Sequence, residues 1–259
     1  MKVTWEEPRW DDLGWERLAP GVGRCRLPVW DCTVGLVTGP GGALLIDSGS
    51  SLAEGARLRL EAQELAGRRV DFVALTHPHF DHVFGAAVFA GAHVFAAPGP
   101  NDEFGEVGRA ALCADAVRNG LDARAAEEAA DTLVVPHQRV RRSLTVELHA
   151  VEPHDGPQVV VLSTVGPGHT RSDLVAVVPG DDDPTVVFCG DLVEESGEPQ
   201  AGPDAVPSHW PTALDRLLAL GGEDALYVPG HGAVVDAAFV RSQRDALARR
   251  FGVSREPVT

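Results

Sequence analysis

The sequence is almost without lysine: Lys2 is the only one, and lysine and arginine together number 22 against 38 acidic residues. The formal net charge at pH 7 is therefore −16. Proteins that bind nucleic acid usually carry a basic stripe that neutralises phosphates, and this chain shows no such stripe. We therefore expect no nucleic-acid partner. Strongly anionic substrates are also disfavoured, although a bound metal overrides the global field locally.

Long apolar runs are missing as well. The most apolar stretch, residues 83–98, is interrupted by His93 and two glycines and is shorter than a membrane span. Residues 1–7 contain no apolar core of the kind that a secretory signal requires. These observations lead us to expect a cytoplasmic protein without a membrane partner.

Cysteine is scarce too. The four cysteines, Cys25, Cys32, Cys113 and Cys189, form no CxxC pair and no dense framework. Reduced thiols are the simplest interpretation, and a disulfide between Cys25 and Cys32 is the less favoured alternative.

Apolar residues are plentiful, at 44% of a chain of 259, and 28 glycines with 19 prolines predict many tight turns. Short β-branched runs alternate with amphipathic stretches after an antiparallel start. This pattern favours a layered α/β sandwich over an all-β barrel, and we treat residues 1–259 as one domain. Strands are predicted at residues 22–27, 34–37, 43–46, 70–75, 93–97, 144–150, 158–164, 174–178, 185–189 and 225–228, and helices at 52–66, 82–90, 211–220 and 236–251.

Two segments depart from this alternation. Residues 1–20 are rich in tryptophan and acidic residues and predict an irregular N-terminal arm. Residues 101–131 are dominated by Ala, Asp, Glu and Arg, with apolar residues at helical spacing, and predict two helices that form an insertion. The insertion is a candidate lid over a site; the alternative is a packing hairpin without a role in chemistry.

The densest cluster of chemically active residues directly follows the predicted strand 70–75. Pro78 forbids a helix through this cluster, because it lacks an N–H and disfavours helical backbone at the preceding residue. The polar side chains therefore leave the strand on a turn and are able to converge on one point. Imidazole and carboxylate together suit zinc, iron or manganese better than calcium or magnesium. The cluster comprises His77, His79, Asp81 and His82.

Three later positions resemble one another, because each is a ligand-type residue beside a glycine at the end of a predicted strand. Glycine allows close backbone approach, which a crowded metal site needs. Each position alone is a weak signal, since a lone histidine after a strand is usually an ordinary loop residue. Together with the first cluster they make seven ligands, too many for one tetrahedral zinc but suited to two metals that share a carboxylate. The three are His169, Asp191 and His231.

In these motifs the chain resembles the metallo-β-lactamase-fold hydrolase superfamily over roughly residues 20–250. The resemblance implies an α/β fold of four layers, an αββα sandwich, with residues 101–131 as a helical insertion. Five motifs occur in the family's order: LIDSG at 45–49, HPHFDH at 77–82, GHT at 168–170, GD at 190–191 and PGHG at 229–232.

The resemblance also implies a metal-binding scheme with two zinc ions, iron or manganese being the alternatives. Asp47 would orient a ligand histidine by a hydrogen bond; an ordinary carboxylate in a turn is the alternative. The first ion would be held by His77, His79 and His169, the second by Asp81, His82 and His231, and Asp191 would bridge the two.

The bridging aspartate separates branches of the family. Members related to glyoxalase II, lactonases and phosphodiesterases carry it, whereas true β-lactamases typically lack it. Asp191 therefore favours the glyoxalase II and lactonase branch and makes hydrolysis of β-lactams the lesser option. One departure follows the histidine cluster, where the family often has a glycine pair and this chain has Phe84-Gly85-Ala86.

The reaction expected of such a site is hydrolysis of a small-molecule substrate. A hydroxide between two metal ions would attack the carbonyl of a small ester, lactone or thioester. Asp81 is the candidate catalytic residue that protonates the leaving group, with a metal-bound water as the alternative.

Several alternatives remain at this point. A single iron held by a subset of these positions would make an oxidoreductase like the persulfide dioxygenases. Hydrolysis of β-lactams or phosphodiesters is chemically open on the same fold, although the charge opposes a nuclease that processes RNA. A binding or sensor protein that retains the fold is the last alternative, and the intact ligand set opposes it.

Other residues carry less weight. Trp30 and Asp31 are expected to line the pocket, and His209 with Trp210 is expected to lie in a surface loop. The remaining histidines lack a motif, and we expect them to be structural or solvated: His93, His137, His149 and His154.

Overall fold

Twelve strands form two sheets in the computed structural model, which describes residues 9–99, 103–148, 159–180 and 183–253. The first sheet has seven strands, in chain order across the sheet. They are β1 (Glu16–Ala19), β2 (Val22–Arg26), β3 (Thr33–Gly39), β4 (Gly42–Ile46), β5 (Phe72–Leu75), β6 (His93–Ala96) and β7 (Gln138–Arg139).

The second sheet has five strands, in the order β12-β11-β10-β9-β8. β11 and β12 run parallel to each other, and the other neighbouring strands of this sheet are antiparallel. The strands are β8 (Ser143–Glu147), β9 (Val159–Thr164), β10 (Leu174–Val178), β11 (Val186–Glu194) and β12 (Leu226–His231).

Six α-helices cover the outer faces of these sheets in the part of the chain that the structure describes. None of the described helices is long and apolar enough to span a membrane. The helices are α1 (Leu52–Ala66), α2 (Phe80–Val83), α3 (Glu106–Arg118), α4 (Ala123–Asp131), α5 (Trp210–Gly221) and α6 (Ala237–Arg250).

Side-chain alternation along the strands divides the core into three apolar layers. Along β5, Val73 and Leu75 point outward into a cluster that includes Leu58 of α1. Ala74 between them points inward to a cluster shared by both sheets. The outer face of the second sheet packs on α5 and α6, for example through Leu214. The predicted four-layer αββα sandwich is confirmed.

Local chemistry fixes the helix that follows β4. Ser51 caps α1 by accepting a hydrogen bond from the backbone N–H of Glu54 at 3.2 Å. The Glu54 carboxylate in turn accepts one from the N–H of Ser50. Gly67 ends the helix in the left-handed region, with φ of 63°. The prediction of a helix over 52–66 is confirmed.

Two predictions about the first half are wrong. Residues 10–19 are not an irregular arm, because they form a 3-10 turn (Trp10–Leu13) and the strand β1. A continuous helix over 82–90 does not form either. Gly85 lies against Ser48, where a Cβ would approach the Ser48 carbonyl oxygen to 1.9 Å, and the chain continues as a 3-10 turn (Ala86–Val88).

The segment 101–131 contains the predicted pair of helices, α3 and α4. Residues 101 and 102 lie outside the described residues, as do residues 149–158 with their two histidines and the ends of two predicted strands. The four cysteines are free, so the expectation of reduced thiols is confirmed.

Candidate metal centre

The loop after β5 delivers four of the seven candidate ligands. His77 and His79 lie on the extended segment that contains Pro78, and His79 immediately precedes α2. Asp81 and His82 lie in the first turn of α2, so this helix begins slightly earlier than expected. Asp81 and His82 are buried, and the short helix directs them to the same side as the two preceding histidines.

The second sheet delivers the other three, and two of them lie within strands rather than after them. His169 follows β9, as predicted. Asp191 lies inside β11, and His231 is the last residue of β12. β11 extends beyond the predicted strand at 185–189, and Gly190 makes this extension possible. It adopts φ of 54°, and a Cβ there would meet Thr76 at 2.8 Å, so only glycine lets the strand pass this close to the histidine loop.

All seven side chains converge, and the carboxylate of Asp191 is at their centre. Its Oδ1 lies 3.2 Å from Nε2 of His82. Its Oδ2 lies 3.3 Å from Nε2 of His231, 3.5 Å from that of His169 and 3.6 Å from that of His77. His79 faces the same point, with Nδ1 at 3.1 Å from Nε2 of His169.

Asp81 completes the second group of side chains. Its Oδ2 lies 3.4 Å from Nε2 of His231 and 3.7 Å from Nε2 of His82. Cys32, which the sequence did not suggest, lies behind this group with Sγ 3.2 Å from the backbone oxygen of Asp81.

The ring nitrogen of each histidine that points away from the centre has an oxygen acceptor. Such partners fix the tautomer and the orientation of a metal-binding imidazole. The pairs are His77 Nδ1 with Thr76 Oγ1 (2.9 Å), His79 Nε2 with Asp204 (3.1 Å), His82 Nδ1 with Asp47 (2.8 Å), His169 Nδ1 with the Gln200 carbonyl (3.1 Å) and His231 Nδ1 with the Trp30 carbonyl (2.6 Å).

Asp47 supports two of these histidines at once. Its Oδ2 accepts a hydrogen bond from His82 and another from Thr76 Oγ1 at 2.8 Å, and that hydroxyl in turn accepts from His77. The backbone N–H of Thr76 donates to Oδ1 of the same carboxylate, also at 2.8 Å. Asp47 is fully buried and adopts φ of 62°, a conformation that Asp and Asn tolerate better than most residues.

The histidines are of two kinds, because their surroundings lower the pKa of some and raise the pKa of others. Burial lowers the pKa of His169 to about 4 and lowers the pKa of His77 well below its ordinary value. Burial opposes protonation of His231 too, but the carboxylate of Asp191 raises its pKa to about 9. Burial would raise the pKa of the Asp191 carboxyl, yet His82, His231 and His77 hold it well below its usual range. Asp191 is therefore an anion at neutral pH.

The donor set fits metal ions. Nε2 of His77 and Oδ1 of Asp191 are buried without a hydrogen-bond partner, a cost that coordination would remove. Two atoms bound to one tetrahedral zinc at ~2.1 Å each lie roughly 3.4 Å apart, close to the separations around Asp191. Three groups have ligand atoms within 4.8 Å of one another: His77, His79, His169 and Asp191; His82, Asp191 and His231; and Cys32, Asp81 and His82.

A cavity of about 340 Å³ opens over these side chains. Trp30 lines it, as expected, and its ring meets that of Phe80 edge-on at 5.3 Å between centroids. Asp31 is not among the lining residues, because its side chain turns to pair with Arg26. His209 is exposed immediately before α5 and does not line the cavity, whereas Trp210 is fully buried as the first residue of α5, so the expectation of a surface loop is wrong for Trp210.

Three residues that hold histidines by hydrogen bonds were not predicted to do so from the sequence. Asp204 lies in a Gly-Pro-Asp-Ala stretch that looks like an ordinary turn, although it holds His79. The Trp30 and Gln200 partners act through backbone carbonyls, which carry no side-chain signal. Asp204 does carry a side-chain carboxylate, but it shares its loop with Glu195 and Glu198, and no motif distinguishes it from them.

Comparison with known proteins agrees with this geometry. A family model described as the metallo-beta-lactamase superfamily matches residues 27–231. Metallo-beta-lactamase domain-containing protein 1 of Xenopus laevis is 27% identical over 202 residues, which cover 78% of this chain and 71% of that protein.

Solved structures show the same fold. The metallo-beta-lactamase FIM-1 from Pseudomonas aeruginosa, in its mono-zinc form, aligns with a TM-score of 0.60 at 20% identity, covering 93% of this chain and 96% of that one. A metallo-beta-lactamase from Erythrobacter litoralis, with beta-mercaptoethanol in the active site, aligns with a TM-score of 0.62 at 16% identity, covering 91% and 96%. At these identities the likeness concerns the fold alone.

Proposed function

Because the chain belongs to the metallo-beta-lactamase superfamily, we propose that it is a hydrolase that uses two zinc ions to cleave a small ester, lactone or thioester. The observation that carries the proposal is the position of Asp191. One carboxylate faces four imidazole nitrogens from two groups of histidines: Oδ1 faces His82 of the second group, and Oδ2 faces His231 of the second group together with two histidines of the first, His77 and His169. A carboxylate in this position is suited to joining two ions.

We propose a separate set of protein ligands for each ion. When bound, the two ions would supply Lewis acidity toward the substrate carbonyl and lower the pKa of a bound water toward ~7. The first set is His77, His79 and His169, the second is Asp81, His82 and His231, and Asp191 belongs to both.

The protein side chains prepare the site before any substrate arrives. Asp47, Asp204 and the backbone carbonyls behind the histidines orient these imidazoles so that the opposite ring nitrogen of each faces the centre. The rings therefore need no reorientation on binding, and the cost of ordering them is met by folding.

Asp81 is the proposed proton carrier. Its carboxylate lines the cavity and lies within 3.4 Å of Nε2 of His231. A carboxyl group in this place is positioned to give a proton to the departing oxygen or sulfur when the acyl C–O or C–S bond breaks. Trp30 and Phe80 form an apolar wall beside it that limits the access of bulk water.

The character of the cavity supports a small uncharged reacting group. Among its described lining residues there is no lysine or arginine, whereas Asp115, Glu194 and Glu198 add carboxylates to those of Asp81 and Asp191. The carboxylate of a β-lactam would find no basic partner there. A neutral ester, lactone or thioester fits this surface better.

The partners proposed follow from charge. The net charge of −16 opposes contact with phosphate backbones and with anionic lipid surfaces. We therefore place a small-molecule substrate at this site, without a nucleic-acid or membrane partner, in a cytoplasmic protein.

The test is a substrate panel combined with metal analysis. Protein purified without added metal is assayed on thioester, lactone, β-lactam and phosphodiester substrates, before and after chelation and zinc return. We expect turnover of at least one neutral carbonyl substrate, lost with chelator and restored by zinc, with about two ions per chain.

A matched pair of variants controls for histidine loss in general. His231→Gln should abolish turnover, whereas His209→Gln, at an exposed position outside the cavity, should retain it. One iron per chain with no chelator-sensitive hydrolysis would contradict the proposal and favour an oxidoreductase.

A further inference from the structure

A second depression lies beside the metal cavity and is open to it. This groove has a volume of about 450 Å³ and runs between α3 and the loop at residues 202–204. His79, Asp115 and Gly202 line both the groove and the cavity. A molecule with its reacting carbonyl over the metal centre is therefore able to extend past His79 into the groove.

The floor of the groove is apolar. Val107, Ala111 and Leu112 lie on one face of α3, and Val107 is 73% exposed. Pro78 and Pro203 form the opposite wall. A row of small and branched side chains along a helix, facing two rigid proline rings, suits an unbranched hydrocarbon chain.

The carboxylates in the groove are already engaged. Glu103 accepts hydrogen bonds from the Ser172 hydroxyl at 3.0 and 3.1 Å. Asp204 accepts one from His79, and Asp115 pairs with Arg118 at 2.7 Å. These carboxylates are therefore partly satisfied within the protein. One of the two arginines among the described groove residues, Arg118, is already paired with Asp115.

Arg171 is different. It is exposed, lines the groove two residues after His169, and makes no hydrogen bond or ion pair with any residue that the structure describes. A planar guanidinium presents a fork of donors that matches a carboxylate. In a chain with so many acidic residues, an arginine without a carboxylate partner beside an apolar groove provides a place for an anionic group of a ligand.

We propose that the groove binds the part of the substrate distant from the scissile carbonyl, an apolar chain that ends in a single carboxylate held by Arg171. This proposal rests on the hydrolase function proposed above and specifies its substrate class. Three carboxylates line the same groove, so a second negative charge on the ligand would meet repulsion. The neutral reacting group and the anionic end thus lie on opposite sides of His79.

Two matched substrate series test the proposal with the zinc-loaded protein. In the first, thioesters carry an acyl chain of constant length that ends in a methyl, one carboxylate, two carboxylates or a trimethylammonium group. In the second, the same ends are placed on the thiol side. We expect the monocarboxylate to have the highest kcat/KM in one of the series, about tenfold above the methyl analogue, mainly through KM.

Variants tie this preference to the groove. Arg171→Gln should lower kcat/KM for the monocarboxylate to that of the methyl substrate, and Arg171→Glu should favour the trimethylammonium substrate. Arg124→Gln, an equal change of charge on the exposed surface of α4, should preserve the wild-type order. Ala111→Phe should lower kcat/KM for long chains and leave short ones unaffected, because the ring would fill the groove.

A binding measurement separates this proposal from the function it rests on. Calorimetry with a pair of ketone analogues, with and without the terminal carboxylate, reports on the groove without hydrolysis. Binding that prefers the carboxylate and depends on Arg171 supports the groove even if no panel substrate is cleaved. Hydrolysis that ignores the terminal group, with equal binding of both ketones, overturns it and leaves the hydrolase function standing.

Discussion

The two sheets supply the side chains of the candidate metal centre in different ways. The seven-stranded sheet delivers His77, His79, Asp81 and His82 from a single loop and the helix turn that follows it. The five-stranded sheet delivers His169, Asp191 and His231 from three segments that are far apart in sequence. The first half is arranged by local backbone chemistry, and the second by the packing of a whole sheet.

This difference predicts different sensitivities. A substitution in the histidine loop of the first sheet should displace several ligands together, because these ligands share one loop and one supporting carboxylate, Asp47. A substitution in the second sheet should displace one ligand only. Asp191 is the exception, because it contacts histidines from both sheets. Substitutions at the meeting point should therefore have the largest effects.

The first prediction concerns that meeting point. Asp191→Asn keeps the shape of the side chain but removes the charge that faces four imidazoles. Replacing residues that merely orient ligands costs 10–100-fold in metal affinity, so we expect a loss beyond ~100-fold here. Metal content after dialysis and kcat/KM on the best substrate measure it. Two retained ions with normal turnover would show that Asp191 is not a shared ligand.

The second prediction compares the pH dependence of the two ligand groups. His231 has a pKa of about 9, so its proton competes with metal at every lower pH, whereas His169, with a pKa of about 4, is neutral throughout this range. Binding of the second ion must release the proton of His231 and also that of His82, whose pKa the surrounding carboxylates raise well above its ordinary value, so its affinity should fall about a hundredfold for each pH unit in this range. Affinity for the first ion should fall at most about tenfold per unit, because His79 is the one member of that set with a raised pKa.

Competition with a fluorescent zinc chelator between pH 6 and 8 measures both affinities. In His231→Gln the steep component should disappear with the second ion, and the shallow component should remain. Equal slopes for both ions in the wild type would refute the division of the histidines into two kinds.

The third prediction compares two carboxylates that orient histidines. Asp47 is buried and supports His82 directly and His77 through Thr76, whereas Asp204 is partly exposed and supports only His79. Asp47→Asn should lower metal affinity toward the 100-fold end of the usual range, and Asp204→Asn toward the tenfold end. Isothermal titration with zinc measures the difference, and a larger effect at Asp204 would reverse the order.

The fourth prediction concerns stability. Gly190 and Gly67 both have φ in the left-handed region, but a Cβ at Gly190 would meet Thr76, and one at Gly67 would meet nothing within 4 Å. Gly67→Ala should cost about 1 kcal/mol of unfolding free energy from the backbone alone. Gly190→Ala should cost about 2–4 kcal/mol, because crowding is added. Urea unfolding of the metal-free variants measures both, and equal losses would mean that β11 shifts away without penalty.

The sequence predicted what depends on neighbouring residues. The helix over 52–66, the turn imposed by Pro78 and the strand β10 follow from capping, proline chemistry and β-branched runs. The seven candidate ligands were named from their spacing and motifs, and the structure brings all of them together. Their roles as metal ligands are still predictions.

What depends on distant contacts was missed. β1 is half-exposed and β7 has only two residues, so neither shows an apolar run, and both form because a neighbouring strand offers hydrogen bonds. The helix predicted at 82–90 breaks because Gly85 packs against Ser48, a contact across the fold. Asp204 holds a histidine 125 positions away, which no local pattern reveals.

The convergence on Asp191 has a mechanical consequence. Since the candidate ligand sets draw on both sheets, an ion bound there would act as a cross-link between two halves that also meet through an apolar layer and a few hydrogen bonds, such as that from the Leu174 N–H to the Thr76 carbonyl. Ligand binding to the folded chain adds about 2.7 kcal/mol of stability at a concentration 100 times the dissociation constant. Zinc supply would then govern how long the folded protein survives, in addition to whether it is active.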